Sequence, residues 1–416
     1  MVVSLVSLNF SNKRFVTLDE ILYASFHFPF AVAAPFVGWY FFILSEGDIW
    51  GAGLLISIPY LLQIFSTSFF GWLSDLWGSK RVIFMSLVVM ALSFFVYWII
   101  QSAVPFFWAY LFFNFFIAAF GPAFIRLATI NSPEGERAEK FGRLGVMASL
   151  GFLLGSLFTS LTIDNMGLQS LFLWAGIISC VSVLLSLGLQ EKQISPIELT
   201  RSLNPGNRIE SSVREYKGSL YLIYILLLLT IISQVTNSMV AGLYSIFLEQ
   251  EAGLSVAWVG IVNTLATLFG MGGTFLMGKF VNRISSRSLV ILAMFLYFFL
   301  ALGTFILSTI DRFLMLILYT IPIYSIFFIL SPLVIAENTT EKNRGRYMGF
   351  LGSSNYVGIA AGTLIGAYFA SGSGKIQPNF GVGSFIGFIG IIIALLFYRG
   401  ESDPKSGPFP ETDVTQ

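Results

Sequence analysis

The chain has 416 residues, 56% of them hydrophobic and only 11% charged, and its formal net charge is +1. A soluble domain carries about 25% charged residues, and no segment here is polar enough and long enough to bury a core of its own. The near-neutral balance points to no nucleic-acid partner, and the composition is that of a chain whose solvent is the lipid bilayer.

Twelve apolar runs are long enough to cross a membrane as helices. They lie at about 18–44, 50–74, 80–101, 104–130, 142–164, 168–189, 218–247, 255–279, 287–309, 312–336, 346–370 and 380–399, numbered spans 1 to 12 below. The fold class implied is an all-α membrane protein. Lys13 and Arg14 precede span 1 with no small-residue cleavage site, so no signal peptide is expected. The tails and even-numbered loops carry Lys13, Arg14, Lys80, Arg81, Arg137, Lys140 and Arg344 among others, while the odd-numbered loops hold only Arg312 and Lys375. Basic residues favour the cytoplasmic face, so both termini are expected in the cytoplasm, with the protein in the cell membrane.

A strongly polar side chain at mid-membrane costs roughly 2.5–3.5 kcal/mol, so it faces a partner or a wet cavity. In span 1, Glu20, Ala24, His27, Ala31, Ala34 and Gly38 share one helical face against bulky neighbours, which suggests a cavity wall. His27 is the only histidine and lies about 15 Å into the span. Because histidine titrates near physiological pH, it reads as a proton-coupling or substrate residue, or else as a neutral group bonded to a neighbouring helix. Pro29 and Pro35 bend the same span. Span 2 contributes Gln63 and span 4 contributes Asn114. Arg126, near the end of span 4, either snorkels to the surface or anchors an anionic group, such as the acid Glu20, near the cavity. Span 5 carries Gly142, Gly145, Gly151 and Gly155, whose spacing allows close helix approach. Cys180 in span 6 is the only cysteine, excludes an internal disulfide and is expected to be buried.

The longest loop, 190–217, is polar and contains Pro196 and Pro205; it reads as a cytoplasmic linker between halves at 1–189 and 218–399. In span 7, Thr230, Gln234, Asn237, Ala241 and Ser245 form a second polar face. Asn263 in span 8, Tyr324 and Glu337 in span 10 and Asn355 in span 11 complete the polar set, with Glu20 and Glu337 joining His27 as candidates for carrying a proton. The tail 400–416 is proline-rich and expected to be disordered.

The halves are copies of one design at an offset of 207 residues. Gly71 matches Gly278, Asn131 matches Asn338, Glu134 matches Glu341, and Arg137 matches Arg344. Gly142, Gly145, Gly151 and Gly155 match Gly349, Gly352, Gly358 and Gly362, and His27 matches Gln234. Two similar membrane halves predict paired six-helix bundles with a site between them.

The segment Gly71-Trp72-Leu73-Ser74-Asp75-Leu76-Trp77-Gly78-Ser79-Lys80-Arg81 resembles the signature loop of the major facilitator superfamily, G-x-L-a-D-r-x-G-r-k. Gly71, Leu73, Asp75, Gly78 and Lys80 match it, and the position after the second of twelve spans matches as well. The resemblance implies that this loop packs against span 11 and holds the cytoplasmic side shut, with Asp75 a gate residue and Lys80 or Arg137 its basic partner. Physically, a carboxylate ending span 2 can meet the positive N-terminus of a helix. Two departures weaken a drug/proton antiporter. Asn114 stands where such proteins often carry an arginine, and Gly151 to Ser156 lacks their proline.

The expected activity is that of a secondary transporter moving a small organic solute by alternating access, coupled to protons. The direction favoured is efflux of drug-like or amphipathic molecules; the alternative is uptake of a neutral polar solute such as a sugar. A non-transporting sensor on the same fold is the reading of another class. No phosphate-binding loop, nucleophile–base pair or metal-binding set is apparent, so neither an enzyme nor a cofactor is expected. The partners are a small-molecule substrate, protons and lipid, and the chain is expected to act as a monomer.

Overall fold

The computed structural model describes residues 17–132, 137–191, 216–255, 257–339 and 341–398. Most of the expected linker, the tail and the N-terminal Lys13 and Arg14 lie outside the described residues, as do the side chains of Arg137 and Arg344. Among the described residues every regular element is helical, and the twelve spans stand where the apolar runs place them. Span 1 is Leu18–Leu44, span 2 Ile49–Trp77, span 3 Ser79–Ile99, span 5 Arg137–Met166 and span 6 Leu168–Leu187. Span 8 is Ala257–Phe280, span 9 Ser286–Ile310, span 11 Glu341–Ser373 and span 12 Gln377–Phe397.

The remaining spans are each broken into two helices. Span 4 is Ala103–Ile117 and Phe120–Asn131, span 7 is Tyr216–Ala241 and Tyr244–Gln250, and span 10 is Arg312–Tyr319 and Tyr324–Glu337. Ten segments are both long and apolar enough to cross a bilayer. The helices of spans 8 and 11, 24 and 33 residues long, complete the set of twelve.

Side chains at the span ends satisfy the backbone N–H groups that a helix leaves unpaired. Glu20 accepts from the Thr17 N–H at 2.9 Å, Asp48 from Gly51 at 2.9 Å, and Asp311 from Phe313 at 2.8 Å. Glu251 accepts from the backbone N–H groups of Ile376 and Gln377 at the start of span 12.

Packing repeats the sequence symmetry. Span 1 packs on spans 5 and 6, and span 3 on span 6; likewise span 7 packs on spans 11 and 12, and span 9 on span 12. Between the halves, span 2 meets span 11 and span 5 meets span 8, contacts that exchange under a two-fold operation. The match reaches single residues. A Cβ on Gly151 would strike the Ala24 carbonyl and the His27 Cβ, and one on Gly358 would strike the Ile231 carbonyl and the Gln234 Cβ. Glycine at both positions is what lets the backbones approach this closely. The span 1 stripe of Ala24, His27 and Ala31 is therefore mainly the seat of span 5; of the stripe, only Ala34 and Gly38 reach the central cavity. Cys180 is exposed on span 6, against the expectation of a buried thiol. A helix at the bundle edge places such a residue in lipid rather than in the core.

The halves touch at one end and part at the other. On the side opposite the signature loop, hereafter the far side, Gly53 packs against Ala367, Gly260 against Ser156 and Ser160, and Trp50 against Tyr368. On the side of the signature loop, the motif side, Gly142 and Gly145 of span 5 and Gly349 and Gly352 of span 11 have no neighbour within 4 Å among the described residues beyond their own helices. Among the described residues, the halves are in contact at the far side and leave open space beside these glycines at the motif side.

Candidate functional site

A cavity of ≈ 450 Å³ lies between the halves. Spans 1, 2, 4, 7, 8, 10 and 11 all contribute to its wall. Pro35 and Pro59, each inside a helix, face it, and the break in span 7 turns Gly242 toward it. Proline removes one backbone hydrogen bond of its helix, and such interruptions at membrane depth are tolerated where they line a cavity.

Among the described residues the wall contains no aspartate, glutamate, lysine, arginine or histidine. Its polar groups are the amides of Gln63, Asn114, Gln234, Asn237 and Asn263, the hydroxyls of Ser238, Ser245 and Thr363, and the phenols of Tyr60, Tyr110, Tyr244 and Tyr319. The Tyr244 and Tyr319 rings stack at 4.2 Å, and the buried Tyr244 hydroxyl has no hydrogen-bond partner.

The two walls differ. Phe30, Val37, Gly38 and Ile56 of the N-terminal half stand where the repeat places Asn237, Tyr244, Ser245 and Asn263 in the other half. The N-terminal half still presents Tyr60, Gln63, Tyr110 and Asn114, but the C-terminal half carries more of the hydrogen-bonding groups.

Five of the sequence-predicted cavity residues, Gln63, Asn114, Gln234, Asn237 and Asn263, line this space. Asn355 lies behind Gln234, accepting its Nε2–H at 3.1 Å. Tyr324 is instead placed against Gly270 of span 8. His27 does not reach the cavity: its Nδ1 lies 2.8 Å from the Tyr23 carbonyl, and its ring packs among Tyr23, Phe26 and Phe152. Glu337 is exposed at the motif-side end of span 10. Sequence reasoning missed Phe30, Tyr60, Tyr244 and Tyr319, because an aromatic residue in an apolar helix carries no mark of which face it occupies.

The two acids and the arginine pair differently from the sequence expectation. Arg126 bonds Asp75 at 2.7 Å, Glu191 at 2.9 Å and the Ser79 hydroxyl at 2.7 Å. Glu20 is buried and held by Lys140 at 2.9 Å and Arg143 at 3.1 Å, with Asp19 on Lys140 at 2.7 Å. Arg126 and Glu20 thus belong to separate clusters.

In the signature turn, Glu191 is a carboxylate set at a helix N-terminus. It accepts from the Ser79 and Lys80 N–H groups at 3.0 Å each, at the start of span 3. Lys80 donates to the Leu187 carbonyl, so spans 3 and 6 are tied together. Burial opposes ionisation of Glu191, but the two backbone donors and the Arg126 guanidinium outweigh it and hold its carboxyl below the ordinary value. Leu73 is buried, and Gly71 faces Pro122 of span 4. Gly78 adopts φ 87°, a conformation glycine takes without strain, and its missing Cβ leaves room for the Glu191 carboxylate. Among the described residues, the polar partners of this turn lie in its own half.

Two pseudo-symmetric bundles, a cavity at their interface and closure at one end define the class: an alternating-access membrane transporter. The chain belongs to the Major Facilitator Superfamily, whose family model matches residues 20–335 and 323–415. Multidrug resistance protein MdtG of Citrobacter koseri is 24% identical over 352 residues, covering 79% of this chain and 80% of its own length. Multidrug resistance protein 2 of Bacillus subtilis is 21% identical, covering 76% and 77%. In fold, the chain is similar to a D-xylose-proton symporter, with a TM-score of 0.74 at 13% identity over 94% of this chain and 98% of that one. The nucleoside transporter NupG gives 0.73 at 14% identity, over 92% and 100%. The chain is therefore a multi-pass membrane transporter and not an enzyme.

Proposed function

We propose that this transporter moves uncharged amphipathic organic molecules out of the cytoplasm. The observation that carries this reading is the two-walled cavity. It offers amides and phenols from both halves, serine and threonine hydroxyls from the C-terminal half and apolar surface mostly from the N-terminal half, with no aspartate, glutamate, lysine, arginine or histidine among its described lining residues. A permanent ion placed there would lose its hydration and find no countercharge. Export is favoured by the relatives named multidrug resistance proteins. With both termini taken as cytoplasmic, the open motif side is the loading side.

The driving gradient in this reading is protons, and the coupling site lies outside the cavity. His27 is the leading candidate. It sits one helical turn from Phe30 of the cavity wall and directly under Gly151, at the contact of spans 1 and 5. Glu20 and Glu337 stand behind it. Transport by purified protein in proteoliposomes tests the whole reading. Uncharged amphiphiles should accumulate against a gradient when a proton gradient is imposed. His27→Gln, which bonds but does not titrate, should keep binding and lose accumulation. Movement of permanent cations to the exclusion of uncharged compounds would overturn the substrate class, and normal accumulation by the variant would remove His27.

A further inference from the structure

We infer that Asn114 and Gln234 meet the substrate as hydrogen-bond acceptors, so that the molecule carried presents O–H or N–H donors, and that Asn355 is the positioning residue that sets Gln234 this way. The inference rests on the reading of the central cavity as the substrate site.

An amide side chain has a donating and an accepting end that look alike in shape, and only its neighbours say which end points where. A backbone carbonyl settles the question because it can only accept. Asn355 lies 3.0 Å from the Leu351 carbonyl one turn earlier in span 11, so the group facing that carbonyl is the Nδ2 amine. The other end of Asn355, Oδ1, then faces Gln234 at 3.1 Å, so Gln234 must donate through Nε2. Its Oε1 is left without a protein donor, on a residue that lines the cavity. Asn114 repeats the device in the other half, donating from Nδ2 to the Tyr110 carbonyl at 2.9 Å and leaving its Oδ1 unpaired. By contrast, among the described residues no side-chain hydrogen bond fixes the Gln63, Asn237 and Asn263 amides, so each can rotate to suit a donor or an acceptor.

Two fixed acceptors, one from each half, make the site selective. In the open cavity water supplies their donors. A bound molecule displaces that water, and one without an O–H or N–H strands both oxygens. The Gln234 amide keeps a spare N–H, so the same molecule can also carry an acceptor, but an acceptor alone does not satisfy the oxygens. Asn355 is not among the residues that line the cavity and acts through Gln234.

The test uses purified protein in lipid nanodiscs and a set of uncharged aryl diols and benzamides, each beside its O- or N-methylated counterpart. Affinity is read by intrinsic fluorescence. The donor-bearing member of each pair should bind about tenfold or more tightly in the wild type, the loss of one well-placed hydrogen bond. Gln234→Leu should lower that ratio severalfold, leaving only the part that Asn114 supplies. Asn355→Leu should lower it as far, and should lower it no further when Gln234→Leu is already present, because a residue acting only on folding would change yield without changing the ratio. If Asn355→Leu does not fold, Asn355→Thr serves. Its hydroxyl bonds the same Leu351 carbonyl but stops short of Gln234, so the ratio should still fall. Equal binding within the pairs, or a ratio unmoved by the Asn355 variants, would overturn the inference and leave the uncharged cavity standing. Failure of every uncharged compound to bind, with capture of a permanent cation such as ethidium, would overturn the cavity reading itself.

Discussion

The two halves share one fold but hold it together by different means. In the N-terminal half the motif-side ends are tied by charges: Asp75, Arg126 and Glu191 in one cluster, Asp19, Glu20, Lys140 and Arg143 in the other. At the equivalent positions the C-terminal half has Asn282, Leu333 and Tyr398, and Leu226, Leu227, Tyr347 and Phe350. Leu226 and Tyr398 are fully buried there. Among the described residues, the basic tie that both halves keep joins the start of one span to the end of another: Lys80 to the Leu187 carbonyl, and Arg287 to the Leu395 carbonyl. Backbone packing therefore sets the fold, and the side-chain chemistry at these seams is interchangeable between ion pairs and apolar contact. The ionic version adds sensitivity to pH and salt at these seams of the N-terminal half.

The sharpest way to break this comparison is to give one half the other's seam. Lys140→Tyr, the residue of the C-terminal copy, leaves the buried Glu20 with only the partly exposed Arg143, and should cost about 3–5 kcal/mol. Adding Glu20→Leu should recover at least half of that loss, because an apolar pair replaces a stranded charge. Thermal unfolding of the purified variants measures both; a double variant as unstable as the sum of its parts would mean that the seams are not interchangeable.

A smaller effect is expected at the second cluster, whose members are partly exposed. Arg126→Leu should cost about 1–3 kcal/mol, and the cost should shrink in high salt. The carboxyl of Glu191 lies below its ordinary 4.5, so its contribution is fully present above that pH and is lost as pH falls through the lowered value. Melting temperature should therefore drop in acid in the wild type, and Glu191→Gln should flatten that part of the curve. An acid limb that survives unchanged would assign it to other carboxylates.

The smallest stability change belongs to Asp75, whose side chain is 66% exposed. Asp75→Asn should shift stability by less than about 1 kcal/mol. Its effect should fall on opening: cysteine probes on the motif side should react at a changed rate. No change in either reactivity or transport would reduce the signature turn to a tie between spans 3, 4 and 6.

The spans were legible in the sequence because hydrophobic length is a property of contiguous residues. Span 1, expected at 18–44, is Leu18–Leu44. The breaks in spans 4, 7 and 10 were not, since hydropathy runs unchanged through Ala118, Leu243 and Ile323; Pro122, Gly242 and Pro322 were the local signals. The amides of the cavity were found because an uncharged polar group in an apolar helix needs a reason. His27 met the same criterion and has a different one, a carbonyl on its own helix and a seat beneath Gly151. Glu191 looked like one acid in a polar linker, and only the fold brings it to the start of span 3.

Cys180, exposed on span 6 and alone of its kind in the chain, gives the N-terminal half a native chemical handle. A thiol-reactive nitroxide or fluorophore added to the unmodified protein marks that half and nothing else. One added cysteine on the outer face of span 12 would complete a two-label ruler, so the rocking of the halves could be followed in a lipid bilayer with a single substitution.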